Sequence, residues 1–160
     1  MALAYRSTEV YLLPDVKYKS KMVSKFINSL MRKGKKSVAE KVFYGAMTVI
    51  EKKITDVEPL EIFETAVNNV KPLVEVRSKR VGGATYQVPV EVPKQRQQSL
   101  ALRWIIDAAK GKKGRPMFQR LADELLDAYK KQGLAITQRE NTHKMAEANK
   151  AFAHFAWSKF

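Results

Sequence analysis

Val74-Glu75-Val76-Arg77-Ser78-Lys79-Arg80-Val81-Gly82-Gly83-Ala84-Thr85-Tyr86-Gln87-Val88-Pro89-Val90-Glu91-Val92 is the stretch on which the fold turns. Two alternating runs rich in β-branched residues flank a Gly-Gly pair, the pattern of an antiparallel hairpin closed by a two-residue turn. The expected ribbon covers residues 73–92. Val74 and Val76 of the first strand are expected to share an apolar face with Val88, Val90 and Val92 of the second, all near the root. Toward the tip Arg77, Lys79, Arg80 and Tyr86 take over. A ribbon apolar at its base and cationic at its end is anchored in a core and reaches toward an anion.

On both sides of the ribbon the apolar residues recur with helical period. Val23, Phe26, Ile27, Leu30 and Met31 follow the spacing of a one-sided helix. Gly34 is expected to end that helix and Ser37 to cap the next, whose buried stripe is Val42, Phe43, Ala46, Met47 and Ile50. Pro59 opens a third helix, at a position where a missing N–H costs nothing, and Phe63, Ala66, Val67 and Val70 face inward from it. Pro72 leads into the ribbon. A fourth helix carries Leu102, Ile105, Ile106 and Ala109, and a fifth carries Phe118, Leu121, Ala122, Leu125 and Ala128. Gly111-Lys112-Lys113-Gly114-Arg115-Pro116 breaks between them, and Gly133 is expected to close the exit of the fifth. The last helix is expected from about Gln138 to the C-terminus through Met145, Phe152 and Phe155. The reading is a mainly α protein: one domain over 1–160, a single bundle of about six helices, and one projecting β-hairpin between the third and fourth. Residues 1–12 are read as a flexible N-terminal arm.

The charge points to a polyanionic partner. Thirty Lys and Arg stand against sixteen Asp and Glu, a net of +14 over 160 residues, and self-repulsion on that scale opposes a compact state. Residues 17–53 and residues 76–120 each carry eleven basic and two acidic side chains, whereas 54–75 hold five acids and one lysine. Two basic blocks around an acidic one describe a folded body with separate cationic surfaces.

Catalytic constellations are missing from the sequence. With no cysteine there is no disulfide, thiolate or Cys-ligated zinc, and no serine sits in a Gly-x-Ser-x-Gly elbow. His143 and His154, read on one helix, stand roughly 16 Å apart along its axis, too far to share a metal. Gly34-Lys35-Lys36-Ser37 lacks the preceding glycine of a phosphate-binding loop, since Ser29 stands there. Asp56, Glu58, Glu61 and Glu64 read as solvated residues at a helix start. The expectation is a protein with no enzyme activity, cofactor or metal. No apolar run approaches the roughly 20 residues of a membrane span, and Met1–Arg6 does not read as a secretory or transit signal. The expected location is the cytoplasm, away from membranes.

The cations gather at corners. Lys17, Lys19 and Lys21 precede the first helix; Arg32-Lys33-Gly34-Lys35-Lys36 joins the first to the second; Lys110, Lys112, Lys113 and Arg115 join the fourth to the fifth. Lys94, Arg96 and Arg103 line the way from the ribbon into the fourth helix. Unpaired backbone N–H groups at a helix start can join such side chains on a phosphate. Tyr86 is a candidate for stacking on a base or for packing within the ribbon, while Trp104 reads as core. An architectural protein that lays its ribbon in the minor groove of DNA is the rival reading, although Val81 alone could serve as a wedge.

Several blocks resemble ribosomal protein seven of the small subunit, of the bacterial type. They are Leu13-Pro14-Asp15, Lys25-Phe26-Ile27-Asn28, Gly34-Lys35-Lys36-Ser37, the hairpin with its Arg80-to-Pro89 centre, Ala101-Leu102-Arg103-Trp104, and His143-Lys144-Met145-Ala146-Glu147-Ala148-Asn149-Lys150-Ala151-Phe152-Ala153-His154. The resemblance implies a six-helix body with a ribbon between the third and fourth helices. It implies primary binding to the 3′ major domain of 16S ribosomal RNA and nucleation of head assembly. The ribbon would lie near the tRNA exit site and the mRNA exit path, beside ribosomal proteins nine and eleven of the small subunit; some members also bind their own operon mRNA. By position, the implied RNA-facing residues are Lys17, Arg32, Lys33, Lys35, Lys36, Arg77, Lys79, Arg80, Lys94, Arg96, Arg103, Lys112 and Arg115, with Lys113 and Tyr86 added from the corner and ribbon readings. Arg139, Lys144, Asn149 and Lys150 would lie near tRNA and neighbouring RNA. Two departures stand out: Arg6 is the only cation in the first sixteen residues, and Ala156-Trp157-Ser158-Lys159-Phe160 differs from the family's usual basic-aromatic ending.

Overall fold

Three phenylalanines from three helices meet at the centre, Phe26, Phe43 and Phe63, with ring centroids 5.3 to 5.5 Å apart; Phe63 stands edge to face with the other two, which are tilted against each other. The computed structural model describes residues 8–156. Those rings belong to α1 (Lys21–Leu30), α2 (Lys36–Lys53) and α3 (Pro59–Val70). A two-stranded ribbon follows, β1 (Val74–Val81) and β2 (Ala84–Glu91), then α4 (Lys94–Gly111), α5 (Met117–Tyr129) and α6 (Leu134–Ala148). Short 3-10 segments, Thr8–Tyr11 and Lys150–Ala156, lie at the two ends of the described chain. The helices pack as a bundle around α5, which touches α2, α3 and α4. Ile62, Ile105, Leu121 and Leu125 complete a fully buried core.

Prolines set three of the helix starts. Pro59 occupies the first turn of α3, while Pro93 and Pro116 immediately precede α4 and α5. Pro72 forces Lys71 into extended backbone, φ −58° and ψ 123°, which ends α3.

The ribbon corrects the face expected from its sequence. Gly82 and Gly83, with φ 58° and 87°, form the two-residue turn and pair Val81 with Ala84. Even-numbered residues of β1 therefore stand opposite odd-numbered residues of β2: Val74 faces Glu91 and Val76 faces Pro89. Val88 and Val90 lie across from Arg77 and Glu75, on the other face. The inward side at the root is thus Glu75, Val88 and Val92.

Several helix boundaries also differ from expectation, and α1 already ends at Leu30 with Met31 as its C-cap, ahead of Gly34. α2 begins at Lys36 with Lys35 at its N-cap, so Ser37 lies inside the first turn. α6 begins at Leu134, not near Gln138, because the carboxylate of buried Glu124 accepts a hydrogen bond from the Ala135 N–H and supplies the cap from a neighbouring helix. Gly133 is the N-cap of α6 and not the exit of α5. The C-terminal helix is not continuous either, since α6 gives way to 3-10 turns after Asn149. His143 and His154 consequently lie on different elements. The Nε2 of His143 accepts the Leu73 N–H at 3.0 Å, and burial, with Arg139 nearby, lowers its pKa. The expected arm at residues 1–12 lies outside the described residues as far as Ser7, as do Trp157–Phe160.

Gly133 yields a direct test. Its φ is 92°, and a Cβ there would come within 2.9 Å of the Asp127 Cβ and 3.0 Å of the Glu124 Oε1. Gly34 also has a positive φ, 71°, but a Cβ there meets nothing within 4 Å. Gly133→Ala is expected to destabilise by about 2–4 kcal/mol and Gly34→Ala by about 1 kcal/mol, measured by urea denaturation. Equal costs would contradict the account of the α6 cap.

Candidate nucleic-acid interface

The corner between α1 and α2 is made sharp by two successive left-handed residues, Lys33 (φ 53°) and Gly34 (φ 71°). Arg32, Lys33, Lys35 and Lys36 project from it, all exposed and with no ion pair to any acid among the described residues. The N-terminus of α2 receives no side-chain cap, and no acid lies in its first turn. Four cations beside the positive end of a helix repel one another and that dipole; a bound anion relieves both.

A groove of about 1,170 Å³ runs between α1 and α4 beneath the N-terminal 3-10 turn. Leu102 and Ile106 form its floor; Arg103, Lys110, Asn28, Ser29, Gln95 and Gln98 are among its rim residues, with an exposed acid, Asp107, between Arg103 and Lys110 on α4. Glu9 holds the turn in place through Lys25 at 3.0 Å and Gln95 at 3.1 Å. Cations beside neutral amides and hydroxyls suit a sugar–phosphate backbone, where phosphates and ribose hydroxyls both need partners. Asn28, Ser29, Gln95 and Gln98 carry no charge, so charge patterning does not single them out. The polar run Gln95-Arg96-Gln97-Gln98-Ser99 at the start of a helix marks Gln95 and Gln98, and no comparable run marks Asn28 and Ser29.

The ribbon joins this groove through one carboxylate. Glu75 is 7% exposed and accepts from the Arg96 Nε (2.8 Å) and Nη2 (3.0 Å) and from the Arg77 Nε (2.9 Å). The Arg96 bonds, with Arg77, outweigh burial and hold Glu75 below the usual carboxylate range. Both arginine side chains stay about half exposed, so their outer N–H groups still face solvent. Arg80 and Lys94 are exposed and outside any ion pair among the described residues. Lys79 and Tyr86 pair across the strands, and the C-terminal 3-10 segment covers them.

Before α1, Asp15 accepts from the N–H groups of Lys17 and Tyr18 and from the Tyr44 hydroxyl. Burial and that bond push the Tyr44 hydroxyl well above its ordinary range. The Lys17 ammonium stands 5.3 Å over the Tyr18 ring and 5.5 Å over the Tyr44 ring, at the surface.

The remaining cations divide between surface and scaffold. Lys112 turns inward to Glu124 (2.9 Å) and Asp127 (3.2 Å). Burial alone would lower its pKa; the two carboxylates reverse that and raise it. Arg115 and Lys53 share Asp123, whereas Lys113 is exposed without an ion pair among the described residues. Arg139 on α6 donates to the Asn69 carbonyl, and Asn149, the C-cap of that helix, donates to the Met145 carbonyl. Lys144 is exposed, and Lys150 lies 3.7 Å from Glu147 at the surface. Trp104 packs against the core. Among the described residues no cluster of three or more acids or histidines could hold a metal, and no helix is long and apolar enough to cross a membrane.

Residues 3–150 match the family model for ribosomal protein S7p/S5e. The chain is 59% identical to the small ribosomal subunit protein uS7 of Rhodopirellula baltica over 152 residues, 94% of this chain and 97% of the relative. It is 60% identical to that of Nitratiruptor sp. over 146 residues, 91% and 94% of the two chains. With that of Francisella tularensis subsp. holarctica it shares 55% identity, over 98% of this chain and all of the relative. The chain belongs to the ribosomal protein S7p/S5e family, whose proteins are structural and not enzymes.

The bare corner and the far end of α2 make a controlled comparison. Lys36 and Lys52 lie sixteen residues apart on one helix, about 24 Å. Lys35→Glu with Lys36→Glu is expected to weaken binding of structured ribosomal RNA by at least about tenfold in a filter-binding titration. Lys52→Glu is expected to change it less than about twofold. Equal losses would remove the localised site.

Proposed function

We propose that this chain is a structural constituent of the small ribosomal subunit that binds the 3′ major domain of 16S ribosomal RNA and nucleates assembly of the head. The observation that carries the reading is the bare corner Arg32–Lys36 set on the same helical body as the α1–α4 groove and the ribbon root. Folded RNA brings several phosphate strands close together, and their repulsion opposes compaction. A rigid body with cations at separate places neutralises several strands at once and favours the arrangement in which all are within reach.

The ribbon, extending beyond the body, would lie near the exit-site tRNA and the mRNA exit path. Ribosomal proteins nine and eleven of the small subunit would be its protein neighbours. An operon message that folds like the ribosomal site would bind the same surfaces. The cytoplasmic ribosome is the setting this reading implies. The relatives' names support it, as do the exposed cations outside ion pairs among the described residues at the Arg32–Lys36 corner, at Lys113 and at Arg80 on the ribbon.

A titration of the full chain with the 3′ major domain of 16S ribosomal RNA tests the proposal, with duplex DNA and an unrelated folded RNA as competitors. With about 6–10 phosphate contacts, affinity should fall by roughly 10³–10⁵ between 50 and 200 mM salt, taking the duplex DNA slope as a guide. The specific complex should survive both competitors. Equal displacement by every polyanion would contradict the proposal, and preference for bent duplex DNA would favour an architectural role for the ribbon.

A further inference from the structure

The ribbon face bearing Lys79 and Tyr86 is already occupied. The two residues are direct cross-strand partners, so an ammonium and a phenol ring stand side by side. Beyond Asn149 the chain runs over them as the 3-10 segment Lys150–Ala156. The Lys79 Nζ donates to the Phe155 carbonyl oxygen at 2.6 Å. The rings of Phe152 and Phe155 lie 5.3 and 4.9 Å from the Tyr86 ring, and 15° from parallel with each other. The His154 ring extends the stack, 4.1 Å from Phe155.

Local propensity does not explain this segment. Runs of 3-10 helix beyond three or four residues are uncommon, and this one has seven. Lys150-Ala151-Phe152-Ala153-His154-Phe155-Ala156 contains no glycine or proline to bar an α-helix, so α6 could have continued through it. What distinguishes the observed path is its contact with the ribbon.

We infer that Lys79 and Tyr86 form a single-nucleotide subsite, and that the C-terminal segment fills it by mimicry when no RNA is bound. A nucleotide brings a phosphate oxygen for the ammonium and a flat base for the ring. The segment brings a carbonyl oxygen and two phenyl rings to the same places. Against the Phe155 carbonyl a phosphate is the stronger acceptor for the Lys79 ammonium, because an ammonium–phosphate bond joins two charges and an ammonium–carbonyl bond only one. RNA is therefore able to displace the segment, while a weaker competitor is not. The device makes stacking on Tyr86 conditional: a segment closed nine-tenths of the time lowers apparent affinity about tenfold. The identity of the competitor rests on the RNA-binding reading above; closure of the segment over the ribbon does not.

Full-length Phe152→Ala/Phe155→Ala tests both parts, with a melting curve and the single Phe155→Ala variant as folding controls. In the free protein the Tyr86 ring-proton resonances should move toward the positions of an unstacked tyrosine, less so for the single variant. Affinity for the 3′ major domain RNA should rise about tenfold in the double variant, and the same pair of changes should do nothing in a Tyr86→Ala background. Unmoved resonances would show that the segment is not closed in solution and would overturn the inference. Unchanged or weaker RNA binding by the double variant would overturn the subsite. If the unaltered protein fails to select this RNA over competitors, the RNA reading falls and takes the subsite with it, and the Tyr86 resonances then report closure alone.

Discussion

The carboxylate of Glu75, held between Arg77 and Arg96, is the interaction on which the molecule's cationic surface depends. It stands at the root of the ribbon, 7% exposed, and binds β1 to the first turn of α4. A carboxylate so placed without its partners would be a buried, unpaired charge; removing one member of such a set costs about 3–5 kcal/mol when the site is fully buried, and less here because the arginines stay half exposed. The same bonds aim two guanidinium groups outward and fix the direction in which the ribbon leaves the bundle. The Val92 N–H to the Leu73 carbonyl, and the Leu73 N–H to His143, close the root from the other strand and from α6.

With a net charge of +14, the acids in this chain have particular work. Asp123, Glu124 and Asp127 on α5 gather Lys53, Arg115 and Lys112 from α2 and the α4–α5 loop, while Glu9 gathers Lys25. Each such group joins two elements. The cations left outside these pairs, including Arg32, Lys33, Lys35, Lys36, Arg80 and Lys113, are exposed at corners and on the ribbon. Charge that would strain an isolated protein is thereby concentrated where a polyanion can neutralise it.

The helices were legible because burial repeats with helical period: Phe26, Phe43 and Phe63 were each picked out as inward-facing and meet in the core. Membership of the family was legible from long blocks that hold across the whole chain. The facing of the ribbon was not, because a two-residue turn decides which parity of β1 meets which of β2, and counting valines ignores the turn. Lys112 looked like one more corner cation; only the fold brings Glu124 and Asp127 beneath it. Gly133 lies four residues after α5 ends, and its true work, leaving room for a cap donated by Glu124, depends on a contact no local pattern records. The path of Lys150–Ala156 was hidden for the same reason, since local propensity alone continues the helix.

For the proposed function the Arg32–Lys36 corner and the ribbon must form one rigid surface. The chain has no cysteine, so two can be introduced as unique spin-label sites, at exposed Ser37 and exposed Thr85. Double electron–electron resonance on this pair should give a single narrow distance distribution in the free protein, which persists when RNA binds and broadens on Glu75→Ala. A broad or multiple distribution in the otherwise unaltered protein would show a ribbon that swings independently of the bundle, and would contradict the account.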